Sequence, residues 1–313
     1  ILFNFMKKKD DVLPNENKKN TWLEIKKNKS NYLLIAPYMI IFIVFTVIPV
    51  VSSMILSFTY FNMFQWPEWR GWLNYRRLFL EDDIFLIGLK NTLMFAFILG
   101  PTSYVCCFFF AWLINELPPK VRACMTLLFY APSMCSSIYT IWLFIFSGDA
   151  NGLVNSYLMK WDWISSPIQW YTDTAYNVKV IIVIQLWLSL GTSFLSFIAG
   201  FQSLDKSYFE AGAIDGIKNR FQELIYITVP AMRPQMMFGA VMQIASSFGI
   251  GPVCRTLAGF PSTNYSLRTI ETHIYDYGTT RYEMGYASAI AFFLCIMMIV
   301  TRNLMAKLIR VDD

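Results

Sequence analysis

Residues 207–234 read Ser-Tyr-Phe-Glu-Ala-Gly-Ala-Ile-Asp-Gly-Ile-Lys-Asn-Arg-Phe-Gln-Glu-Leu-Ile-Tyr-Ile-Thr-Val-Pro-Ala-Met-Arg-Pro. The stretch is polar, rich in small residues, and set between two long apolar runs. A chain that only has to turn round does so in a few residues. A segment of this length therefore argues for an element that docks a soluble partner. Its internal signals are helical. Asp205 or Ser207 suits a helix N-cap, Ser207-x-x-Glu210 fits a capping box, and Gly216 is placed to end the helix in a left-handed conformation. A second short helix is expected over residues 217–227, with Pro230 and Pro234 turning the chain back into the next apolar run. Ala211, Gly212 and Ala213 leave little side chain between this backbone and a partner, while Phe209 and Ile214 offer apolar anchors. Such a helix can lie in a groove of another protein.

The runs on either side belong to a membrane chain. Of 313 residues, 56% are hydrophobic and 15% charged, against about 25% charged in soluble domains. The 27 Phe, 17 Tyr and 10 Trp suit lipid-facing walls and interfacial belts. Six apolar spans are read at roughly 32–56, 84–114, 123–146, 178–201, 235–254 and 286–304. Each is long enough to cross a hydrocarbon core as a helix, at about 20 residues. Open strands are excluded there because unpaired backbone groups are too costly in lipid. The expected fold class is thus an all-α membrane protein of six transmembrane helices. Gly100-Pro101 interrupts the second span, and Pro37 and Pro49 flank the first, as kinks or as ordinary packing features.

Lys and Arg set the orientation. Residues 7–29, 115–122, 206–233 and the C-terminal tail carry 17 of them, against 7 in the alternate loops, with Lys90 and Lys179 near helix ends. Both termini and the 207–234 segment are then cytoplasmic, and loops 57–83, 147–177 and 257–284 face outside. The net charge of +5 follows this sidedness and gives no sign of nucleic-acid binding. Residues 1–31 read as a basic cytoplasmic tail that enforces topology, with Met6 as a candidate start and no signal-peptide cleavage pattern.

Several chemistries lack their residues. The six cysteines show no CxxC spacing and act as small hydrophobes, so disulfides and structural zinc are not expected. There is no G-x-x-x-x-G-K-[ST] phosphate loop, and the single histidine, His273, reads as a solvated loop residue beside Glu271 and Asp276. An ion-coupled carrier places ionisable groups at mid-membrane, and the central turns of these spans have none. The chain is not expected to be an enzyme, nor to bind a metal or cofactor of its own.

The 207–234 segment closely resembles the EAA loop of ABC-importer permeases. In that family the pattern runs E-A-A, three residues, G, nine residues, I-x-L-P. Here Glu210-Ala211-Gly212, Gly216 and Ile227-Thr228-Val229-Pro230 occupy it, with Gly212 for Ala, Val229 for Leu, and ten residues in the spacer. The extra residue bears on the register of the second short helix. The resemblance runs from about residue 84 to the end. Tyr275-x-Tyr277 and Gly285-Tyr286-Ala287-Ser288-Ala289 look like the sugar-importer branch, the maltose- and glycerol-phosphate-type permeases.

The resemblance implies a type I importer permease fold and a division of the chain. Residues 1–31 would be the tail, 32–83 the first transmembrane helix with its external loop, and 84–313 the permease core with coupling loop 202–234. It further implies that Phe209, Glu210, Ala211, Gly212, Asp215 and Gly216 couple to an ATPase. The expected partners are a second homologous permease, two ATPase subunits that carry ATP and Mg, an extracytoplasmic solute-binding protein and membrane lipid. The expected location is the bacterial cell membrane. A neutral, hydroxyl-rich cargo calls for amides, hydroxyls and aromatic faces. Gln185, Trp187, Ser189, Thr192 and Ser193 on the fourth span, and Gln243, Ser246, Ser247 and Phe248 on the fifth, supply them. A peptide, polyol or phosphodiester cargo, or an ion-coupled carrier, are the alternatives.

Overall fold

The computed structural model describes residues 29–135 and 138–309. The tail read over residues 1–31, the candidate start at Met6 and Arg310 of the basic C-terminal tail therefore fall wholly or mostly outside the described residues. The chain divides into two compact units, residues 1–52 and 53–313. The first contributes most of helix α1, Lys29–Leu56. Its ladder widens to a π-helical turn over Ile43–Val47, where the Ile48 N–H reaches Ile43 O. Pro49 follows directly. A proline has no N–H and its ring crowds the carbonyl four residues back, and a wider turn relieves that crowding.

The second unit begins with a two-stranded antiparallel ribbon, β1 Thr59–Tyr60 and β2 Glu68–Trp69, with Thr59 opposite Trp69. A short helix, α2 Leu73–Leu80, leads to the long α3, Asp83–Asn115. Asp82 caps α3 by accepting the Phe85 N–H at 2.9 Å. The buried stripe of α3 runs Phe85, Gly88, Thr92, Phe95, Leu99, Ser103, Cys107, Ala111 and Ile114. Those steps of three and four are the spacing of one helical face. The helix continues unbroken through Gly100-Pro101.

The third expected span, 123–146, is bent rather than a single straight helix. Two helices occupy it, α4 Pro119–Met134 and α5 Ile138–Ile145, bent by 87° with respect to each other. Pro132 near the end of α4 removes a ladder donor, and Cys135 leaves the helix with extended dihedrals. A short helix, α6 Leu153–Lys160, follows. The fourth and fifth spans also have breaks that apolar length alone did not reveal. The fourth is α7 Asn177–Leu188 and α8 Thr192–Ser203, separated at Ser189–Gly191. After the polar segment the fifth is α11 Arg233–Phe248 and α12 Gly251–Ala258, separated at Gly249–Ile250. The chain closes with α13, Ile270–Tyr275, and α14, Met284–Ile309.

The core sits where α3, α8 and α11 pack together. Cys107 and Ala111 of α3 meet Phe194, Phe197 and Phe201 of α8, with Met232 ahead of α11. A second cluster sets Phe95 and Leu99 against Ile181 and Ile184 of α7 and Val253 and Leu257 of α12. A third joins Leu78 and Phe85 to Ile270, Tyr286 and Ile290. Among the described residues, five helical stretches are long and apolar enough to cross a membrane, six if the bent α4–α5 pair is one span.

Candidate functional site

The segment between α8 and α11 folds as two short helices at a glycine elbow. The first, α9, is Lys206–Ile214. Its cap is Asp205, whose carboxylate accepts the Ser207 N–H at 3.0 Å. That bond stabilises the charged form and lowers the Asp205 pKa. Ser207 is therefore already inside the helix, and the Ser207–Glu210 capping box does not form. Glu210 is exposed and, among the described residues, has no hydrogen-bond or ion-pair partner.

The end of α9 matches the sequence expectation. Gly216 has φ +93, a conformation that side chains resist. The Ile217 N–H bonds Gly212 O at 3.0 Å and the Gly216 N–H bonds Ala213 O at 3.3 Å, the paired bonds of a Schellman stop. Gly212 is buried, and a Cβ there would lie 2.5 Å from Ile227 Cδ1 and 3.2 Å from Ile217 Cδ1. The glycine that departs from E-A-A thus lets the second helix fold back onto the first.

That second helix, α10, starts at Arg220–Glu223, capped by Asn219, whose Oδ1 accepts the Gln222 N–H at 2.8 Å. It widens to a π-helical turn over Leu224–Thr228 and ends at Val229–Ala231. The expected range of 217–227 is therefore shifted towards the C-terminus. The Val229 N–H reaches Leu224 O just ahead of Pro230, the same arrangement as before Pro49. A π-turn holds one more residue than an α-turn, so it takes up the tenth spacer residue.

Two faces of α9 result. Ala211, Ala213 and Asp215 are exposed, as are Tyr208 at 57% and Ile214 at 87%. Phe209 is half-buried and turns the other way, into a 330 Å³ polar cavity with Trp112, Arg122 and Arg220.

The polar residues of the fourth and fifth spans meet in pairs. The Gln185 Nε2 donates to Ser246 Oγ at 3.1 Å. The Gln243 Nε2 donates to Ser189 O at 3.2 Å and to Cys107 Sγ at 3.1 Å, across the break between α7 and α8. The Oε1 atoms of Gln185 and Gln243 are buried with no partner among the described residues. Trp187 sets its edge against Trp142 at 5.2 Å between centroids. The Ser193 Oγ bonds Gly239 O at 3.2 Å, and the Ser247 Oγ bonds its own helix at Ile244 O. Thr192 is exposed at the start of α8. Gln243, Ser247 and Phe248 also line a 790 Å³ apolar cavity between α3, α11 and α14. Glu271 lies above this region, accepting the Gly251 N–H at 3.1 Å and so capping α12 from a distant element. Burial raises its pKa, against the bond to Gly251 and the Arg255 charge.

His273 is a correction. It is fully buried rather than solvated, at the centre of a network that sequence reasoning missed. Its Nδ1 receives Arg268 Nε and Nη2 at 3.2 and 2.8 Å. A guanidinium can only donate, so Nδ1 is the acceptor and the ring is the neutral Nε2–H tautomer. That Nε2–H donates to Asp82 Oδ2 at 3.0 Å. Tyr286 and Tyr277 donate to the same oxygen at 2.8 and 3.3 Å. The Arg268 Nη2 also bonds Asp276 Oδ2 at 2.6 Å, which Arg281 reaches at 3.1 Å. Burial pushes the His273 pKa down, against the pull of Asp82. Burial alone would raise Asp82, but the bonds from His273, the Phe85 N–H and Tyr286 outweigh it and hold the carboxyl well below its usual range. One carboxylate thereby ties the start of α3 to α13 and α14. The sequence reading did not single out Asp82, although an Asp just ahead of an apolar run is an N-cap signal.

Residues 108–310 match the family described as binding-protein-dependent transport system inner membrane component. The probable ABC transporter permease protein YesP of Bacillus subtilis (strain 168) is 31% identical over 288 residues, 87% of this chain and 88% of that protein. The arabinooligosaccharides transport system permease protein AraP of the same organism is 27% identical over 304 residues, 95% of this chain and 94% of that one. The crystal structure of a bacterial ABC transporter that imports the acidic polysaccharide alginate superposes with a TM-score of 0.73 at 23% identity, over 93% of this chain and 98% of that one. Its likeness fixes the fold as that of an ABC-importer permease. The chain belongs to the family of binding-protein-dependent transport system inner membrane components, and it is a transport subunit.

Proposed function

We propose that this chain is one of two homologous permeases in an ATP-driven carbohydrate importer of the bacterial cell membrane. Two ATPase subunits would hold ATP and Mg, and a solute-binding protein would deliver the cargo. The observation that carries the reading is the exposed face of α9, with Tyr208, Glu210 and Ile214, held by Asp205 at one end and the Gly216 elbow at the other. Phe209, Gly212 and Gly216 shape the element from behind, while Glu210, Ala211 and Asp215 are presented to the ATPase. ATPase closure would move α9 and, through α8 and α11, the helices of the pathway.

Both termini and the α9–α10 elbow are assigned to the cytoplasm from the distribution of Lys and Arg. Trp66, Trp69, Trp72, Trp161 and Trp163 are then on the outer side, all well exposed, whereas Trp170 is held by a bond to Asn155. A cysteine placed at exposed Lys218 checks the sidedness. Lys218→Cys should resist an impermeant maleimide in intact cells and react after permeabilisation. Labelling from outside would refute the orientation.

The carbohydrate assignment draws on two supports. AraP is named for arabinooligosaccharides, and the lactose transport system permease protein LacF of Rhizobium radiobacter is 24% identical over 275 residues, 87% of this chain and 91% of that one. The candidate pathway residues on α7, α8 and α11 are uncharged, and the Oε1 atoms of Gln185 and Gln243, without a partner among the described residues, are acceptors that a hydroxyl can satisfy. Trp187, Ser189, Thr192, Ser246, Ser247 and Phe248 complete the proposed lining. Gln243→Leu keeps the volume but removes the donor to Ser189 O and the free acceptor. Uptake should fall about tenfold, the worth of a typical lost hydrogen bond, while co-purification with the ATPase is unchanged. Unaltered uptake of every tested saccharide would make Gln243 a packing residue only.

A further inference from the structure

The 330 Å³ cavity behind α9 does not stand alone. A 460 Å³ groove along α4 and α8 adjoins it, and the two share Arg122 and Gln202. Their walls differ in kind. The groove is apolar, formed by residues such as Ala123, Leu127, Leu195 and Ile198, and Leu127 is 66% exposed. Its wall on α4 runs from Pro119 to Tyr130. At about 1.5 Å per residue that is roughly 17 Å, close to half of a hydrocarbon core about 30 Å thick.

The cavity, by contrast, is ionic. It holds Arg122, Lys206 and Arg220 against Glu116 and Glu223. Arg220 is committed to both carboxylates, at 3.6 Å to Glu116 and 2.9 Å to Glu223. Arg122 spends one Nη2 donor on Leu117 O, and its Nε is buried with no partner among the described residues. Lys206 forms no ion pair among the described residues. One positive charge is therefore left over, together with a desolvated donor, where an acyl-sized groove opens.

We propose that the adjoining cavity and groove bind one acidic membrane phospholipid. Its phosphodiester monoanion lies between Arg122 and Lys206, and one acyl chain runs along α4. Basic pockets between helices at the cytoplasmic side of a membrane recognise such headgroups. A phosphodiester balances the single surplus charge, whereas free phosphate would overshoot it. Phe209 of α9 lines the same cavity, so the bound headgroup braces the coupling helix from behind. The placement in the inner leaflet rests on the orientation proposed above, but binding in detergent does not depend on it, so the two can fail separately.

The assembled transporter, purified in detergent and offered phosphatidylglycerol and phosphatidylcholine, tests the assignment by native mass spectrometry. Wild type should retain one phosphatidylglycerol in preference to phosphatidylcholine. The Arg122→Gln/Lys206→Gln double variant should lose about thirtyfold in that retention, roughly fivefold per cation. Lys206→Gln alone alters only an exposed side chain and should give a loss of about fivefold, which guards against misfolding of the double variant. Equal retention of the two lipids, or full retention by both variants, would overturn the proposal. So would displacement of the lipid by inorganic phosphate, which would mark a free-anion site. Cross-linking of Leu127→Cys to another subunit in native membranes would show that a partner helix fills the groove, and would also refute it.

Discussion

Glu210→Ala is expected to leave the permease folded and inserted while cargo-stimulated ATP hydrolysis falls roughly thirtyfold, the loss that follows truncation of an interface hot spot. The separation of the two effects comes from the geometry of α9. Had Glu210 closed a capping box, its removal would cost about 0.5–2 kcal/mol of helix stability. Asp205 makes the cap instead, and Glu210 is exposed without a partner among the described residues. Little in the isolated permease depends on it, so a loss of stimulation must arise at the partner. Gly212→Ala provides the contrast. A Cβ there meets Ile227 Cδ1 at 2.5 Å, so the end of that side chain must shift, and any change in coupling arises from the packing of α10 on α9 within the permease itself. The measurement is ATPase activity of the reconstituted importer with and without loaded binding protein, alongside thermal denaturation of each variant. Wild-type stimulation in Glu210→Ala would remove α9 as the coupling element.

How far the sequence carried each element depends on the range of the interactions that set it. The spans were legible because each is a run of apolar residues long enough to cross lipid, and burial in lipid needs no partner. The breaks at Ser189–Gly191 and Gly249–Ile250 were not, because two or three residues hardly change a window average. In the polar segment the Gly216 stop was legible, since the left-handed position is local chemistry. The cap was legible only as a choice between Asp205 and Ser207, both good caps, and the fold selects Asp205. The tenth spacer residue was visible as a departure, but the π-turn that absorbs it was not. His273 was misread for the opposite reason. Its neighbours in sequence, Glu271 and Asp276, suggested a solvated loop, while the oxygen that holds its Nε2–H belongs to Asp82, 191 residues away.

Removing the guanidinium from that network should have the largest effect on stability. Arg268→Met leaves Asp276 buried with one fewer cation and His273 Nδ1 without its donor. Breaking a buried ion pair on one side typically costs about 3–5 kcal/mol. Arg281 still reaches Asp276 at 3.1 Å, which places the expected loss at about 3 kcal/mol. Arg281→Gln, on a half-exposed side chain, should cost about 1 kcal/mol or less. The pH dependence follows from the same bonds. The folded pKa of His273 is lowered, so below about 6.5 the unfolded chain takes up a proton that the folded one refuses. Stability therefore falls as the pH drops through that value, by at most about 1.4 kcal/mol per pH unit for one proton. The contribution of Asp82, whose folded pKa is also lowered, is complete above the ordinary carboxylate range and is lost only at more acidic pH. In Arg268→Met the charge that opposes protonation of His273 is gone, and Nδ1 is free to take a proton while Nε2–H still faces Asp82. Between pH 7.5 and 5.5 the thermal midpoint of wild type should decline, and that of Arg268→Met should decline less from its lower start. An equal slope in the two proteins would mean that Arg268 does not hold His273 neutral.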